Sequence, residues 1–232
     1  SEIGLDLGLL KNRITINAGY YQKYTNDLLL NATIPATSGF TSVLQNIGEM
    51  QNNGFELGIS TENIKGKDFT WNTSFNITFN KNKVMKIFNG TPTPYGFASW
   101  LAEGEELGAF RGYVVEKIFQ STDEVAAANA AARAKGFANY QVATTAPGDI
   151  KFKDLNGDGT VNSADQQVLG SAQPKFFGSL TNDFTYKGFD LKIFAQFVYG
   201  NKLLNYTRNF SEGMNGVFGQ TDAVLNRWTP TN

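Results

Sequence analysis

The chain has 232 residues, of which 18% are charged and 13% are aromatic, and its formal net charge is −1. The balanced charge argues against a basic nucleic-acid-binding protein, and the aromatic content argues against disorder. Histidine and cysteine are both absent, which excludes histidine-assisted nucleophilic catalysis, disulfides, and zinc or iron–sulfur sites on those ligands. A metal site would therefore have to use oxygen ligands.

Six segments alternate apolar and polar residues with the period of two that is typical of β-strands. In chain order they are residues 3–10, 14–24, 54–62, 69–80, 176–186 and 189–200. The clearest is 69–80, where Phe69, Trp71, Thr73, Phe75, Ile77 and Phe79 share one face and Asn, Ser and Thr side chains share the other. Its length suits a tilted membrane-spanning strand, which needs about 9–11 residues, and no stretch approaches the roughly 20 apolar residues of a membrane helix.

The connections between these segments alternate in length. Residues 11–13, 63–68 and 187–188 form short connections, whereas 25–53, 81–175 and the residues from 201 onward form long ones. Aromatic residues gather near both ends of the strands: Phe69, Trp71, Tyr186 and Phe189 beside the short turns, and Tyr20, Tyr24, Phe79 and Tyr199 beside the long loops. Segregated loop lengths and two aromatic belts are typical of outer-membrane β-barrels.

The pattern therefore predicts an all-β fold, an antiparallel transmembrane β-barrel segment with long extracellular loops. Because six strands are fewer than the eight of the smallest usual barrel, we expect this segment to form only part of the barrel wall. The chain begins at Ser1 inside a strand pattern and without Met, which predicts an internal piece of a longer protein. A soluble β-sandwich with one wet face remains the alternative.

The long connection 81–175 contains elements of its own. Residues 108–120 read as an extended segment, and residues 122–136 read as one short surface helix. Ser121 and Glu124 offer a capping box, alanines favour the helix, and Gly136 can end it.

Residues 154–165, DLNGDGTVNSAD, match the spacing of a twelve-residue calcium loop. The predicted ligands, at positions 1, 3, 5, 7, 9 and 12, are Asp154, Asn156, Asp158, the Thr160 carbonyl, Asn162 and Asp165. The preceding residues 148–152 read as extended rather than helical, so we expect a half-motif that binds a structural Ca²⁺ weakly, with a dissociation constant on the order of 10⁻⁴–10⁻³ M. The alternative is a turn rich in Asx and Gly residues without an ion.

The chain also resembles the SusC/RagA family of TonB-linked (TonB-dependent) outer-membrane transporters. The resemblance rests on short stretches in the family's order: Tyr20-Tyr21, Thr25-Asn26-Asp27-Leu28-Leu29, Asn46-Ile47-Gly48, Asn53-Gly54-Phe55-Glu56-Leu57, Leu107-Gly108-Ala109-Phe110-Arg111-Gly112-Tyr113, Gly148-Asp149-Ile150-Lys151-Phe152 with the calcium-type loop, Gly170, Pro174-Lys175-Phe176, Tyr186-Lys187-Gly188-Phe189-Asp190-Leu191 and Tyr199-Gly200-Asn201. One departure is Lys117, where the family usually has Gly before Ile-Phe-Gln.

The resemblance implies that residues 1–232 are the C-terminal β-barrel portion of a 22-stranded receptor in the outer membrane of a Gram-negative bacterium. The plug domain and the last strands would lie outside the chain. It implies uptake of a glycan or peptide energised through the TonB complex, a SusD-like surface lipoprotein as partner, contact with outer-membrane lipid, and no enzyme activity. The substrate-binding residues are not indicated.

Two other functions are the alternatives to a transporter. The first is a secreted, calcium-stabilised β-rich binding module, which would be soluble without detergent. The second is a glycosidase that uses carboxylates, but Glu103, Glu105 and Glu106 lie in one loop and nothing fixes two carboxyl groups across a cleft. Phe97, Trp100 and Tyr140 could stack on sugars, although we favour packing within the loops.

Overall fold

The computed structural model describes residues 1–33, 37, 39–214 and 216–231. The chain divides into two compact units. The first comprises Ser1–Phe110 and Gly170–Lys202, and the second comprises Arg111–Leu169 and Leu203–Asn232.

The secondary structure consists mainly of strands. In chain order they are β1 (Glu2–Leu9), β2 (Ile14–Thr33), β3 (Ser42–Lys65), β4 (Phe69–Lys86), β5 (Thr93–Pro94), β6 (Ser99–Leu101), β7 (Ala109–Gly112), β8 (Val115–Ile118), β9 (Ile150–Phe152), β10 (Gln167–Ser171), β11 (Phe176–Tyr186) and β12 (Phe189–Tyr199). The helices are α1 (Thr122–Ala134) and α2 (Thr207–Ser211), and short 3-10 turns lie at Phe88–Gly90, Ser163–Asp165 and Asp222–Asn226. Among the described residues, no helix has both the length and the apolar character needed to cross a membrane.

The first unit is built on a six-stranded antiparallel sheet with the order β1-β2-β3-β4-β11-β12. The six predicted strands are therefore confirmed, and each pairs with the next along the chain. The β11–β12 hairpin turns at Lys187 and Gly188, whose φ angles of 45° and 86° match the two-residue turn that fits a twisted hairpin. Antiparallel pairing of successive strands is the topology of an up-and-down sheet.

Two predicted loop boundaries are wrong. Residues 25–53 do not form a long connection, because β2 continues to Thr33 and β3 begins at Ser42. The connection 81–175 likewise begins later, because β4 continues to Lys86. Backbone pairing persists in these extensions, for example between Asn52 and Asn82, although neither strand keeps an apolar face there. Alternation detects strands only where one face is consistently apolar, so these extensions, in which apolar and polar residues mix on both faces, give no signal. Residues 34–36 and 38 of the predicted loop lie outside the described residues.

The second unit contains α1 and the short β8–β9 ladder. Ser121 caps α1, because its side-chain oxygen accepts a hydrogen bond from the Glu124 N–H at 3.2 Å. The Glu124 carboxylate accepts at 2.9 Å from the N–H of Gln120, the residue before the cap, so the Ser121 half of the predicted capping box forms and the Glu124 half bonds the preceding residue instead. Helix α1 ends at Ala134, before Gly136. The prediction of a single short helix is wrong, since α2 is a second one; its five residues are too few to give a periodic signal.

Gly178 on β11 has no room for a side chain. A Cβ atom there would overlap the Asn76 carbonyl oxygen and lie 2.7 Å from the ring of Phe197. We expect Gly178→Ala to lower the free energy of unfolding by about 1–3 kcal/mol, because overpacking must shift the backbone or the ring. Urea unfolding of the full-length protein in detergent, followed by tryptophan fluorescence, measures the change.

Gly19→Ala is the matched control, because a Cβ at Gly19 has no atom within 4 Å. We expect this substitution to change the stability little. Equal losses at Gly178 and Gly19 would contradict the packing assignment.

Candidate functional site

The register of the six-stranded sheet places the apolar side chains on one face. Phe75 on β4 lies opposite Ile59 on β3 and Leu180 on β11. The same face continues outward through the pairs Ile3–Tyr20, Leu5–Ala18, Leu7–Ile16, Leu9–Ile14, Ala18–Leu57, Leu180–Ala195 and Phe184–Leu191. The predicted division of the strands into an apolar and a polar side therefore holds across all six strands.

This apolar face is exposed. Phe189 is 79% exposed, Ile3 is 74% exposed and Leu191 is 57% exposed. A soluble β-sandwich would bury such a face against a second sheet. No such layer exists in the part of the chain that the structure describes, whose other sheets are short ladders of loop strands. An uncovered apolar face of this extent marks a surface that contacts a membrane or another protein.

Two rows of aromatic rings cross this face. Near the long connections, ring centroids lie 6.5 Å apart for Phe55 and Phe79, 5.6 Å for Phe79 and Phe176, and 5.0 Å for Phe176 and Tyr199. The register also aligns Tyr20 with Phe55. Sequence reasoning placed aromatics near the strand ends, and the register joins them into a continuous row.

The second row lies beside the short turns. Ring centroids are 5.7 Å apart for Trp71 and Phe184, and 6.5 Å apart for Phe69 and Tyr186. Along β4 the rows are ten residue steps apart, from Phe69 to Phe79, which at about 3.4 Å per step is roughly 34 Å along the strand. A tilt of about 45° reduces this to roughly 24 Å, close to the apolar band of about 25 Å in outer-membrane barrels.

A hydrogen-bonded polar cluster interrupts the apolar face near the second row. The Asn182 side-chain oxygen accepts from the Thr73 hydroxyl at 2.7 Å and from the Trp71 indole N–H at 2.9 Å. Asn63, at a bulge in β3, donates to the Thr73 hydroxyl oxygen at 2.7 Å. Sequence reasoning missed this cluster because its members are distant along the chain. Mutual hydrogen bonding lowers the cost of polar groups on an apolar surface.

The opposite face carries polar side chains that bond across neighbouring strands. Asn17 donates to Asp6 at 2.6 Å and Asn76 donates to Ser179 at 2.7 Å. Lys192 forms an exposed ion pair with Asp183 at 3.5 Å. Such a face suits contact with water.

The calcium-type loop lies in the second unit and is organised by its own side chains. The Asp154 carboxylate accepts hydrogen bonds from the N–H groups of Gly157 at 2.7 Å and Gly159 at 2.8 Å. The Asn156 side-chain oxygen accepts from the Asp158 N–H, and the Asp158 carboxylate accepts from the Thr160 N–H at 2.9 Å. These interactions wrap the first half of the loop into successive Asx turns.

Asp165 closes the loop from a fully buried position. Its two carboxylate oxygens accept from the N–H groups of Leu155 at 2.8 Å, Asn156 at 3.3 Å and Asn162 at 2.8 Å. Burial raises the pKa of Asp165, but these backbone hydrogen bonds outweigh it and hold the pKa below its usual range. Asn162 accepts from the Ala164 N–H and forms a capping box with Asp165 at the 3-10 turn.

The loop is tied to the rest of the second unit. The Thr160 hydroxyl donates to the Asn139 carbonyl at 2.9 Å, and the Lys135 ammonium donates to the Gly157 carbonyl at 2.7 Å. Tyr140 donates through its hydroxyl to the Phe152 carbonyl at 2.7 Å. Tyr140 therefore packs within the unit.

The structure brings the predicted ligands into one turn, and many of their oxygens accept backbone hydrogen bonds. Within the described residues, no group of three His, Cys, Asp or Glu side chains is placed to hold a metal ion. Calcium binding at Asp154, Asn156, Asp158, Thr160 and Asp165 stays a prediction. The glutamates of residues 103–106 lie in the first unit, where the Glu103 carboxylate accepts from the Ile87 N–H at 3.0 Å and the Glu105 carbonyl accepts from the Val84 N–H at 2.8 Å.

We expect acid to weaken the second unit through Asp165. A carboxyl group whose pKa is lower in the folded state stabilises the fold above its unfolded pKa, about 3.9, and this contribution is lost as pH falls through the folded value. Asp165→Asn should lower the free energy of unfolding at pH 7 by about 1–3 kcal/mol, because buried N–H groups lose an ionised acceptor. Urea unfolding between pH 7 and pH 2 measures both effects; a variant that keeps the wild-type pH dependence would contradict this role.

Comparisons with known proteins agree with this fold. Residues 1–112 match the family described as TonB dependent receptor-like, beta-barrel. The whole chain is 36% identical to TonB-dependent receptor P3 of Formosa agariphila, of which it covers 23%. It is 31% identical to TonB-dependent receptor SusC of Bacteroides thetaiotaomicron over 95% of the chain and 22% of that protein. The chain therefore spans about a quarter of the length of the curated relatives it matches.

A solved structure shows the same fold. The RagAB peptide transporter superimposes on the whole chain with a TM-score of 0.77 at 22% sequence identity, and the chain covers 24% of the matched polypeptide. The RagAB peptide importer in its open-open state gives a TM-score of 0.73 at 23% identity.

Proposed function

Because the chain belongs to the TonB-dependent receptor family and resembles SusC and RagA within it, we propose that it forms part of the wall and extracellular rim of an outer-membrane importer for glycans or peptides. Uptake would be energised through TonB. The observation that supports this most directly is the continuous exposed apolar face with an aromatic row near each end. Its height matches the hydrocarbon layer that such barrels span.

In this proposal the two faces of the sheet have different surroundings. The face of Phe75 contacts lipid, and the face of Ser74 lines the wet interior. The long connection between β4 and β11 belongs to the extracellular side. The chain performs no covalent chemistry.

The same proposal includes the surroundings of the receptor. Residues 1–232 form the C-terminal barrel portion, and the plug domain that contacts the TonB complex belongs to the remainder of the receptor. A SusD-like surface lipoprotein covers the extracellular rim. The relatives, about four times longer than the chain, leave room for these further parts.

The two-face assignment predicts unequal costs for a charge on neighbouring residues. Phe75→Arg, in the middle of the apolar face, should lower the free energy of unfolding by about 2–4 kcal/mol, because the charge would enter hydrocarbon. Ser74→Arg should cost much less. Both variants of the full-length receptor are compared by heat-modifiable gel mobility after outer-membrane extraction and by urea unfolding in lipid vesicles.

Equal costs at residues 74 and 75 would remove the assignment of lipid and interior faces. A full-length receptor that is soluble and monodisperse without detergent would favour the secreted binding module instead.

We also propose that the loop of residues 154–165 binds a structural Ca²⁺ through Asp154, Asn156, Asp158, the Thr160 carbonyl and Asp165. The complete spacing of oxygen ligands and the preformed turn support this proposal. The ion would fasten a loop that already contacts Lys135 and Asn139. Its role would be stabilisation of the second unit.

Calcium titration of the chelator-treated full-length receptor tests this site. We expect a dissociation constant on the order of 10⁻⁴–10⁻³ M and a higher unfolding temperature with Ca²⁺. Asp158→Asn should weaken binding about tenfold, since it removes one ligand charge but leaves an oxygen for the Thr160 N–H. Asp123→Asn is the control. It removes the same charge from the first turn of α1, outside the loop, and should leave Ca²⁺ binding unchanged. No heat and no thermal shift would exclude the site.

A further inference from the structure

Two small adjoining cavities lie in the first unit where β2, β3 and β4 extend past the aromatic row of Tyr20, Phe55 and Phe79. The polar cavity, of about 190 Å³, is lined by Asp27, Asn46, Glu49, Lys86 and Asn89. The apolar cavity, of about 180 Å³, is lined by Leu28, Leu29, Met50, Val84, Leu101 and Leu107, with Tyr95. Gly48, Glu49 and Lys86 line both cavities, so they are neighbours.

The polar cavity offers donors and acceptors of both charges. Lys86 and Glu49 form an ion pair at 3.5 Å, with side chains that are 63% and 41% exposed. An exposed pair at this distance is weak, so either group can bind a ligand at little cost. Asp27 supplies a second carboxylate, and Asn46 and Asn89 supply amide groups. This set matches the amide groups and charged ends of a short peptide.

The backbone around the polar cavity is unusual. Among the described residues, the non-glycine residues with left-handed φ angles are mostly in turns and loops, namely Leu10, Lys11, Asn12, Lys187 and Met214. The remaining two, Asp27 at φ 57° and Asn89 at φ 55°, both line this cavity. Asp27 sits at a bulge that interrupts the pairing of β2 with β3. Such conformations cluster at binding sites, where they aim a side chain.

The apolar cavity suits an aliphatic side chain. Its walls are mostly aliphatic, whereas saccharide rings are usually held on aromatic faces. Each cavity is smaller than the roughly 300–1,000 Å³ of a drug-sized ligand site, so the pair fits one residue and its adjoining peptide groups. Leu29 and Tyr95 are 61% and 53% exposed, which leaves the apolar cavity accessible from the surface.

We propose that these two cavities form a peptide subsite, in which the apolar cavity takes an aliphatic side chain and the polar cavity binds the neighbouring peptide amides or a charged terminus. This inference rests on the proposed importer function and specifies a cargo class for it. The subsite lies on the strand extensions, on the side of the long connections, where cargo would first meet the receptor.

Isothermal titration of the full-length receptor in detergent tests the subsite with three probes: Gly-Leu-Gly, Gly-Ala-Gly and maltose. We expect Gly-Leu-Gly to bind at least about tenfold more tightly than Gly-Ala-Gly, because three further carbons are buried. Maltose should neither bind nor compete. Absence of tripeptide binding, equal affinities for the two tripeptides, or competition by maltose would overturn the proposal.

Matched variants locate the binding. Leu29→Trp should fill the apolar cavity and weaken Gly-Leu-Gly binding about tenfold or more, whereas Leu44→Trp, at a similarly exposed leucine of β3, should not. Asp27→Asn keeps a residue that tolerates the left-handed conformation and should also weaken binding. Unchanged binding in both Leu29→Trp and Asp27→Asn would overturn the subsite.

The outcome is separable from that of the importer proposal. Heat-modifiable mobility of each variant reports outer-membrane assembly independently of peptide binding. A receptor that assembles normally but binds no tripeptide refutes only the subsite, whereas a receptor that never enters the membrane refutes the importer.

Discussion

The cross-strand register of the six-stranded sheet determines which side chains share a face, and the surface properties of the first unit depend on it. Because side chains alternate along a strand, a slip of one residue would move the whole apolar set to the other face. In the observed register Phe75 meets Ile59 on one side and Leu180 on the other. The same register aligns the aromatic rings into rows and brings Asn182 to Thr73. A continuous apolar face exists only because every neighbouring pair of strands keeps this alignment.

Backbone hydrogen bonding also constrains the sheet, because every strand edge in hydrocarbon must be paired. Strands β1 and β12 each have one neighbour in the described sheet. In hydrocarbon an open edge leaves N–H and C=O groups unpaired, at a cost of several kcal/mol for each group. The importer proposal therefore requires further strands on both sides, which agrees with a chain that spans about a quarter of its relatives. Nothing in the apolar face needs a second protein layer if lipid is the solvent.

The parts of the fold that could be predicted from sequence are those where local chemistry determines the outcome. Alternation identified the six strands, Lys187-Gly188 identified a hairpin, and ligand spacing identified a preformed turn from Asp154 to Asp165. The extensions of β2, β3 and β4 were missed because apolar and polar residues no longer alternate there: Leu28 and Leu29 are adjacent in β2, and Val84 lies among lysines and asparagines in β4. Contacts between distant segments, such as the hydrogen bond from the Thr73 hydroxyl to the Asn182 side chain, have no local signal either.

The strand extensions also explain why a binding site can be well defined at the rim of such a sheet. Side chains on strands are held more rigidly than side chains on loops. Asp27, Glu49 and Lys86 lie on or beside paired strands, and the pairing of Glu49 with Lys86 sets their separation. Polar strand residues beyond the aromatic row gain nothing from lipid, so their alignment depends on backbone pairing and on the loop that Glu103 and Glu105 attach to β4. The strand extensions are thus continuous with the rest of the sheet, and in the importer proposal a change in their register would alter peptide binding without altering contact with lipid.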